Sequence, residues 1–382
     1  MRHPMFFFYF LIFIGIYVLL NGYIFLHGYR MIGEFGIRPM VYSVVFLILA
    51  SSYIIGELIQ RNHSSLFSDI LITFWSLWFV GIVHFFLASL GYDILKLIQS
   101  VFGIFSPNLL KNIAYHLTWV TVVSTVSLIL IGYINARNPV IREHTIVINK
   151  KNPITDTLRL AIASDIHLGP INGGYHAERV VAKINALQPD MILLPWDIVD
   201  GEVGPVIRRD LGERLRRLSA PYGVYGVLGN HEYIGGVNRA ADYLTEHGIT
   251  LLRDQILFAG WVTLIGRDDI SSQRFGTIRK SLSDLLEWVD TQTPLVLMDH
   301  QPKNLFEAEE NGIDVQFSGH THNGQLWPLN YIVAQIFELA RGYKQKGNTH
   351  IFVSSGVGTW WPPVRTNARP EILLVTLKFD KN

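Results

Sequence analysis

The chain of 382 residues contains no cysteine, which excludes disulfide staples and any thiolate metal site. That absence fits either a reducing or an oxidising compartment. Charge is also scarce: Asp, Glu, Lys and Arg are 16% of the residues, against about 25% in ordinary domains, and they nearly cancel at a net +1. A balance so close to neutral gives no basis for a nucleic-acid partner. With 49% hydrophobic residues, the chain is too long for one small domain and too apolar for a wholly soluble one. Nothing in the sequence fixes an oligomeric state.

The apolar excess lies before about residue 135, in runs of roughly 20 residues, the length that crosses a hydrocarbon core as helix. Four spans are predicted, at Phe6 to Leu26, Met40 to Ile59, Ile70 to Leu90 and Ile113 to Ile134, forming a transmembrane domain over residues 1–135. The first run is longer than a signal-peptide core and lacks a small-residue cleavage site. Trp75, Trp78 and Trp119 read as interface anchors or as lipid-facing bulk. His84, alone in its span, reads as an interhelical hydrogen bonder. The spans lack paired charges and Gly/Pro-broken inverted repeats, so anchoring is a simpler role for them than transport. With an even number of spans, Arg2, Arg61, Arg137, Arg142, Lys150 and Lys151 share a side, opposite Arg30, Arg38, Lys96 and Lys111. The positive-inside rule then leans toward a multi-pass cell (inner) membrane protein with a cytoplasmic C-terminal half.

Residues 136–155 read as a linker, after which charged sequence punctuated by Gly and Pro alternates between strand and helix patterns. Short β-rich runs lie at Leu158 to Ser164, Met191 to Pro195, Val224 to Leu228, Val262 to Gly266, Pro294 to Met298, Val315 to Ser318, Ile351 to Ser354 and Ile372 to Leu377. Helical patterns include His176 to Leu187 and Arg239 to His247. The expected architecture is α/β, with a mixed sheet or two packed sheets.

Five of these runs end in metal-ligand residue types. They deliver Asp165 and His167 in "SDIHLG", Asp197 in "PWDIVD", Asn230 and His231 in "GNHE", His300 in "DHQP", and His320 and His322 in "GHTHNG". Any one of these is weak evidence; five at one edge of a sheet converge in space. Imidazole mixed with carboxylate and amide oxygen suits Mn, Fe or Zn better than a structural zinc or a calcium cage. On extended backbone, the spacing of two in Asp165-x-His167 and His320-x-His322 turns each pair toward one side. Seven candidate ligands, Asp165, His167, Asp197, Asn230, His300, His320 and His322, exceed what one tetrahedral ion needs. Two divalent ions sharing a carboxylate would use them all, and such a pair clamps the attacking and leaving oxygens of a phosphoryl displacement.

The order Asp-x-His, Asp-x-x-Asp, Gly-Asn-His-Glu, His, Gly-His-x-His resembles the calcineurin-like metallophosphoesterase superfamily, over nearly all of residues 156–382. "GHTHNGQLWP" and "SSGVGTWWPPVRTNARPEILLVTL" resemble its bacterial membrane-associated branch. The resemblance implies a β-sandwich flanked by helices and a metal-dependent hydrolysis of a phosphate ester or pyrophosphate bond. It assigns Asp165, His167, Asp197 and His322 to one ion and Asp197, Asn230, His300 and His320 to the other, with Asp197 bridging and manganese ahead of iron or zinc. It makes His231 the group that stabilises charge on the phosphoryl oxygen or protonates the leaving oxygen. Asp200 resembles the second aspartate of its block, which braces His231 or a loop.

One position departs from the family. Glycine normally precedes the bridging aspartate, and this chain has Trp196. An indole there either points into an apolar pocket, or distorts the carboxylate and covers the site. In the second case the domain is a metal-poor module that binds or senses phosphorylated lipids.

Beyond "GHTHNGQLWP", Leu329, Ile332, Val333, Ile336, Phe337 and Ala340 recur at helical spacing, opposite Gln335, Glu338, Arg341 and Lys344. This amphipathic helix either packs on the sheet or lies on lipid headgroups. With a membrane domain attached, the expected partners are the bilayer and a phosphorylated lipid or lipid-linked substrate.

Overall fold

The structure, a computed structural model, describes residues 4–62, 65–150, 155–195, 197–360 and 362–379. Trp196, Arg2 and Lys151, and the side chain of Arg61, which were weighed above, lie outside the described residues. The chain divides into two compact units, Met1–Ile131 and Gly132–Asn382.

The first unit is helical: α1 Pro4–Met31, α2 Pro39–Asn62, α3 Leu66–Phe102 and α4 Pro107–Ala136, the last turn of which falls in the second unit. Among the described residues, three segments (11–35, 66–102, 107–136) are long and apolar enough to cross a bilayer; the apolar stretch of α2, Pro39–Ser52, is shorter. At 37 residues α3 is about 55 Å long, well beyond the about 30 Å of hydrocarbon that the predicted span would match. Its start is set by Ser65, whose hydroxyl accepts from the Ser68 backbone N–H, and its end by Gly103 in the left-handed region.

Two expectations for this unit are corrected. Trp75 is fully buried and donates to the Tyr17 hydroxyl at 3.0 Å, and Trp78 donates to Asn21 Oδ1 at 3.0 Å, so these indoles join α3 to α1 instead of facing lipid. Among the described residues, His84 bonds the Val80 carbonyl of its own helix at 2.8 Å and no group of a neighbouring helix. In addition, α1 and α3 meet at a polar cluster that the sequence did not suggest, where Asp93 accepts from Tyr23 at 2.7 Å and faces His27 and Lys96.

The second unit is a sandwich of two six-stranded sheets. Its elements are β1 Val140–Ile148, β2 Thr157–Ile162, α5 Gly174–Ala186, β3 Met191–Leu194, α6 Gly204–Arg208, α7 Gly212–Leu215, β4 Val224–Gly226, α8 Asn230–Gly235, α9 Val237–Glu246, β5 Thr250–Leu251, β6 Gln255–Ala259 and β7 Val262–Gly266. There follow α10 Leu282–Leu286, β8 Leu295–Met298, α11 Phe306–Glu310, β9 Val315–Ser318, α12 Leu329–Ile336, β10 Gly342–Lys346, β11 Thr349–Val353 and β12 Glu371–Phe379. The sheets run β1-β12-β2-β3-β4-β5 and β10-β11-β9-β8-β7-β6. Strands β2, β3 and β4 are parallel, as are β7, β8 and β9, so each set places its carboxyl ends at a common edge.

Strands β3 and β8, the sequences MILL and LVLM, are apolar throughout because both their faces are covered. Leu160, Ile162 and Leu193 of one sheet pack with Leu264, Val296 and Phe317 of the other to form the interior. On the outer side of the first sheet, Ala161 and Ile192 pack with Val180 and Ile184 of α5.

Three sequence readings change here. Val140–Ile148, read as linker, is a nine-residue strand paired in parallel with β12. The helix after the last histidines stops at Ile336; Phe337 is extended, and the stretch carrying Lys344 is strand β10, paired antiparallel with β11. Phe337, Ala340, Arg341 and Lys344 are therefore not on an amphipathic helix. The third change concerns the ligand turns. Asp165, His167, His320 and His322 have φ of 53°, 51°, 71° and 45°, so neither pair lies on extended backbone.

Candidate metal centre

The loops leaving β2, β3, β4, β8 and β9 bring all of the sequence-predicted site residues together at one edge of the sandwich. One group holds Asp165, His167 and His322, all buried. The Nε2 atoms of His167 and His322 stand 3.0 Å apart, and His322 Nε2 is 3.6 Å from Asp165 Oδ1. A second group holds Asp197, His300 and His320. There His300 Nε2 is 3.1 Å from Asp197 Oδ2, 3.1 Å from Asn230 Oδ1 and 3.2 Å from His320 Nδ1. Asp197 stands between the groups, its Oδ2 also 4.0 Å from His167 Nε2.

Convergence comes from backbone turns, not from strand alternation. Asp197 also has a positive φ, 49°, so five of the seven ligand-type residues sit in the left-handed region, where a non-glycine residue is strained. Their own contacts hold them there. Asp165 Oδ1 accepts from the His320 backbone N–H at 2.9 Å, and Asp197 Oδ1 from that of His231 at 2.9 Å. Gly229 has no room for a side chain: a Cβ there would stand 2.2 Å from Asp197 Oδ1.

Do these residues fit a cation? Asp165 Oδ2 is buried and, among the described residues, has no hydrogen-bond partner. Burial pushes the Asp165 carboxyl above its usual range. Beside it, two imidazole nitrogens face each other. A buried carboxylate and converging ring nitrogens leave a point that a positive ion satisfies, and this O/N donor set suits a first-row divalent ion. The second group offers the same chemistry with an amide oxygen added. The residues fit two ions.

Asp200 and His231 stand behind the ligands. Asp200 Oδ1 is 3.0 Å from His231 Nδ1 and 3.3 Å from His167 Nδ1, so one carboxylate orients both rings. Burial alone would lower His231, but Asp197 and Asp200 outweigh it and raise it to about 9. Burial likewise opposes charge on Asp200, yet the hydrogen bonds of His167 and His231 hold it well below the usual carboxylate range. His322 is backed differently: Arg365 Nη2 donates to its Nδ1 at 2.9 Å. Burial first, then His167 and Arg365, keep that ring far below the usual histidine value.

Two residues that brace the candidate site escaped the sequence reading. Glu232, buried, accepts from the Gly229 and Val199 backbone N–H groups at 2.8 Å each and so ties the start of α8 to the Asp197 loop. Its signal was available, as an acidic residue three positions after the helix cap. Arg365 had no comparable local signal. Trp196, and with it the question of what the indole does, lies outside the described residues.

Comparison with known proteins agrees with this geometry. The profile of the calcineurin-like phosphoesterase family matches residues 158–324. A metallophosphoesterase of Aquifex aeolicus is 34% identical over 61% of this chain and 90% of its own length. One from Campylobacter jejuni is 27% identical over 96% of this chain and 97% of its own. A zebrafish (Danio rerio) protein named as a transmembrane protein with metallophosphoesterase domain is 29% identical over 69% of this chain and 63% of its own. The chain belongs to the calcineurin-like metallophosphoesterase family and is a metal-dependent phosphoesterase.

Proposed function

We propose that the protein hydrolyses a phosphoester or pyrophosphate bond of a lipid-linked substrate at the bilayer surface. The observation that carries this reading is α12. It begins seven residues after His322, and none of its side chains is buried; Tyr331, Ile332 and Ile336 are 64%, 59% and 64% exposed. Trp327, just before the helix, is half exposed. Apolar side chains left outside a core beside a catalytic centre mark a binding surface, and aromatic and aliphatic groups together suit a lipid interface. Phe337 follows the helix and sets its ring 5.9 Å from that of His320, so this apolar surface reaches the candidate ligands. The apolar helices of the first unit, and the relative named as a transmembrane protein, support a membrane setting. We place the protein in the cell (inner) membrane with its catalytic unit cytoplasmic.

Asp165, His167, Asp197 and His322 would hold one ion and Asp197, Asn230, His300 and His320 the other, with Asp197 shared. Manganese is the ion proposed first, ahead of iron and zinc, for this mixed set of imidazole nitrogens with carboxylate and amide oxygens. When bound, the pair supplies Lewis-acid stabilisation of the phosphoryl oxygens and lowers the pKa of the attacking water. The chain's own groups do the rest. Asp200 occupies His231 Nδ1, which leaves Nε2 as the nitrogen that can give a proton to the leaving oxygen. The neutral Asn230 adds a donor without adding negative charge, which keeps the centre attractive to phosphate.

The test is metal analysis of detergent-purified protein, followed by turnover of bis-p-nitrophenyl phosphate, a phosphate monoester, a nucleotide-diphospho-lipid and a phospholipid. The expected result is two divalent ions and preferred turnover of a lipid-linked compound. Equal rates on soluble and lipid compounds would overturn the substrate class.

A further inference from the structure

Arg365 is 1% exposed, and its guanidinium is anchored by the Ser355 carbonyl at 2.7 Å and by the Gly358 carbonyl, the latter reached from both Nε and Nη2. The same Nη2 donates to His322 Nδ1. Arginine can only donate, so the ring must accept at Nδ1, and its Nε2 is held toward His167 and Asp165. Among the described residues, Arg365 Nη1 is buried and has no hydrogen-bond partner. A buried cation with a nitrogen unsatisfied is an unfavourable way to fill space, where Leu or Met would pack at lower cost. What offsets that cost here is the bond to His322.

The backbone of the same residue is fixed from another direction. The Arg365 N–H donates to the Gly132 carbonyl at 2.9 Å, and Asn135 Nδ2 donates to the Arg365 carbonyl at 3.4 Å. Gly132 and Asn135 belong to the last turn of α4, which lies in the second unit. Close approach there depends on glycine: a Cβ on Gly132 would stand 2.5 Å from Val364 Cγ1 and 3.2 Å from the Arg365 nitrogen. Loop and ligand turn are also cross-bonded, since the Thr366 N–H donates to the Gln325 carbonyl at 3.2 Å and Asn367 Nδ2 to the Asn323 carbonyl at 2.6 Å.

We propose that Arg365 is a positioning residue that aims the metal ligand His322, and that the last turn of α4 holds Arg365 in place to do so. The inference rests on the two-ion reading of the site. It makes the end of the membrane helix part of the metal site's scaffold and not merely a tether.

The experiment titrates the metal-stripped, full-length protein in detergent with Co²⁺, following visible absorption against a competing chelator. In Arg365→Met, one of two ions should bind about 10–100-fold more weakly, with an altered absorption band, while the other is unchanged. Arg365→Lys, whose shorter side chain must bring its single nitrogen to the place of Nη2, should recover only part of the loss. Gly132→Ala strengthens the helix by propensity and should nonetheless weaken the same ion; adding Val364→Ala removes the closest of the clashes and should restore part of the affinity. Should Arg365→Met fail to fold, the Gly132→Ala and Val364→Ala pair decides alone, with loss and recovery supporting the proposal and no loss overturning it. A folded Arg365→Met protein with wild-type affinity and spectrum overturns it as well. A wild-type protein that takes up no Co²⁺ overturns the two-ion reading itself, a result distinct from an indifferent Arg365 variant.

Discussion

His231 and Asp197 sit a hydrogen bond apart, yet removing each should do different things. His231 touches the Asp197 carboxylate through its backbone N–H, a contact that any residue can make, while its ring is committed to Asp200. His231→Ala should therefore keep both ions and lower turnover by about 10²–10⁴-fold, the range for a lost general acid. Asp197→Ala removes the carboxylate that stands between the two groups and should release metal, measured by elemental analysis of the folded protein. An Asp197→Ala protein that retains both ions would reject the bridging role. The negative charges of Asp197 and then Asp200 raise His231 against its burial, and because a general acid must carry its proton, activity falls as pH rises through the His231 titration. Asp200→Asn removes one of these charges, so the alkaline limb of kcat should move toward lower pH. A limb that stays put or moves up would separate Asp200 from the acid.

At the scale of elements, the strand ends were legible because a strand covered on both faces is an apolar run that a ligand residue interrupts abruptly. Ile192 to Asp197 and Leu295 to His300 are such runs. What the sequence could not show was how the ligands face one another, since the positive φ of Asp165 and His322 is imposed by tertiary closure. Strand β1 was hidden for another reason: it lies at a sheet edge and its first half carries Arg142 and Glu143 exposed, so it reads as a polar connection. Helical spacing from Leu329 to Ala340 misled because periodicity does not know what pairs beyond it; β11 captures Gly342–Lys346, and Leu339 packs against the cluster of Leu305, Ile351 and Val353. The shortened α12 sharpens the membrane-surface prediction. Tyr331, Ile332 and Ile336 are exposed, so replacing all three with Ser costs little core packing, and the melting temperature should hold. Turnover of a lipid-linked compound in vesicles should fall at least several-fold, with a small soluble ester almost untouched. Equal losses on both would show that the helix serves the fold and not the bilayer.

For the whole molecule, the two units should answer differently to metal removal. The candidate ligands come from five loops of the second unit, and the unfolded chain cannot gather them. Binding that favours only the folded state stabilises it by about 2.7 kcal/mol per site when free ion is present at 100 times its dissociation constant. For a domain of this size each kcal/mol is worth about 2–4 °C, so saturating one site should raise the melting temperature by about 5–10 °C and chelation should reverse it. The first unit offers no comparable set: among the described residues, the groups of at least three candidate ligands all lie in the second unit. Its helices are held instead by aromatic packing and by hydrogen bonds such as those of Trp75 and Trp78, which no chelator touches. A melt in detergent followed by far-UV circular dichroism should show the β-rich transition shifting with chelator while the loss of the helical signal stays in place. A common shift of both transitions would mean that the units unfold as one. No shift in either would mean that the converging carboxylates and imidazoles hold no ion at the concentrations used.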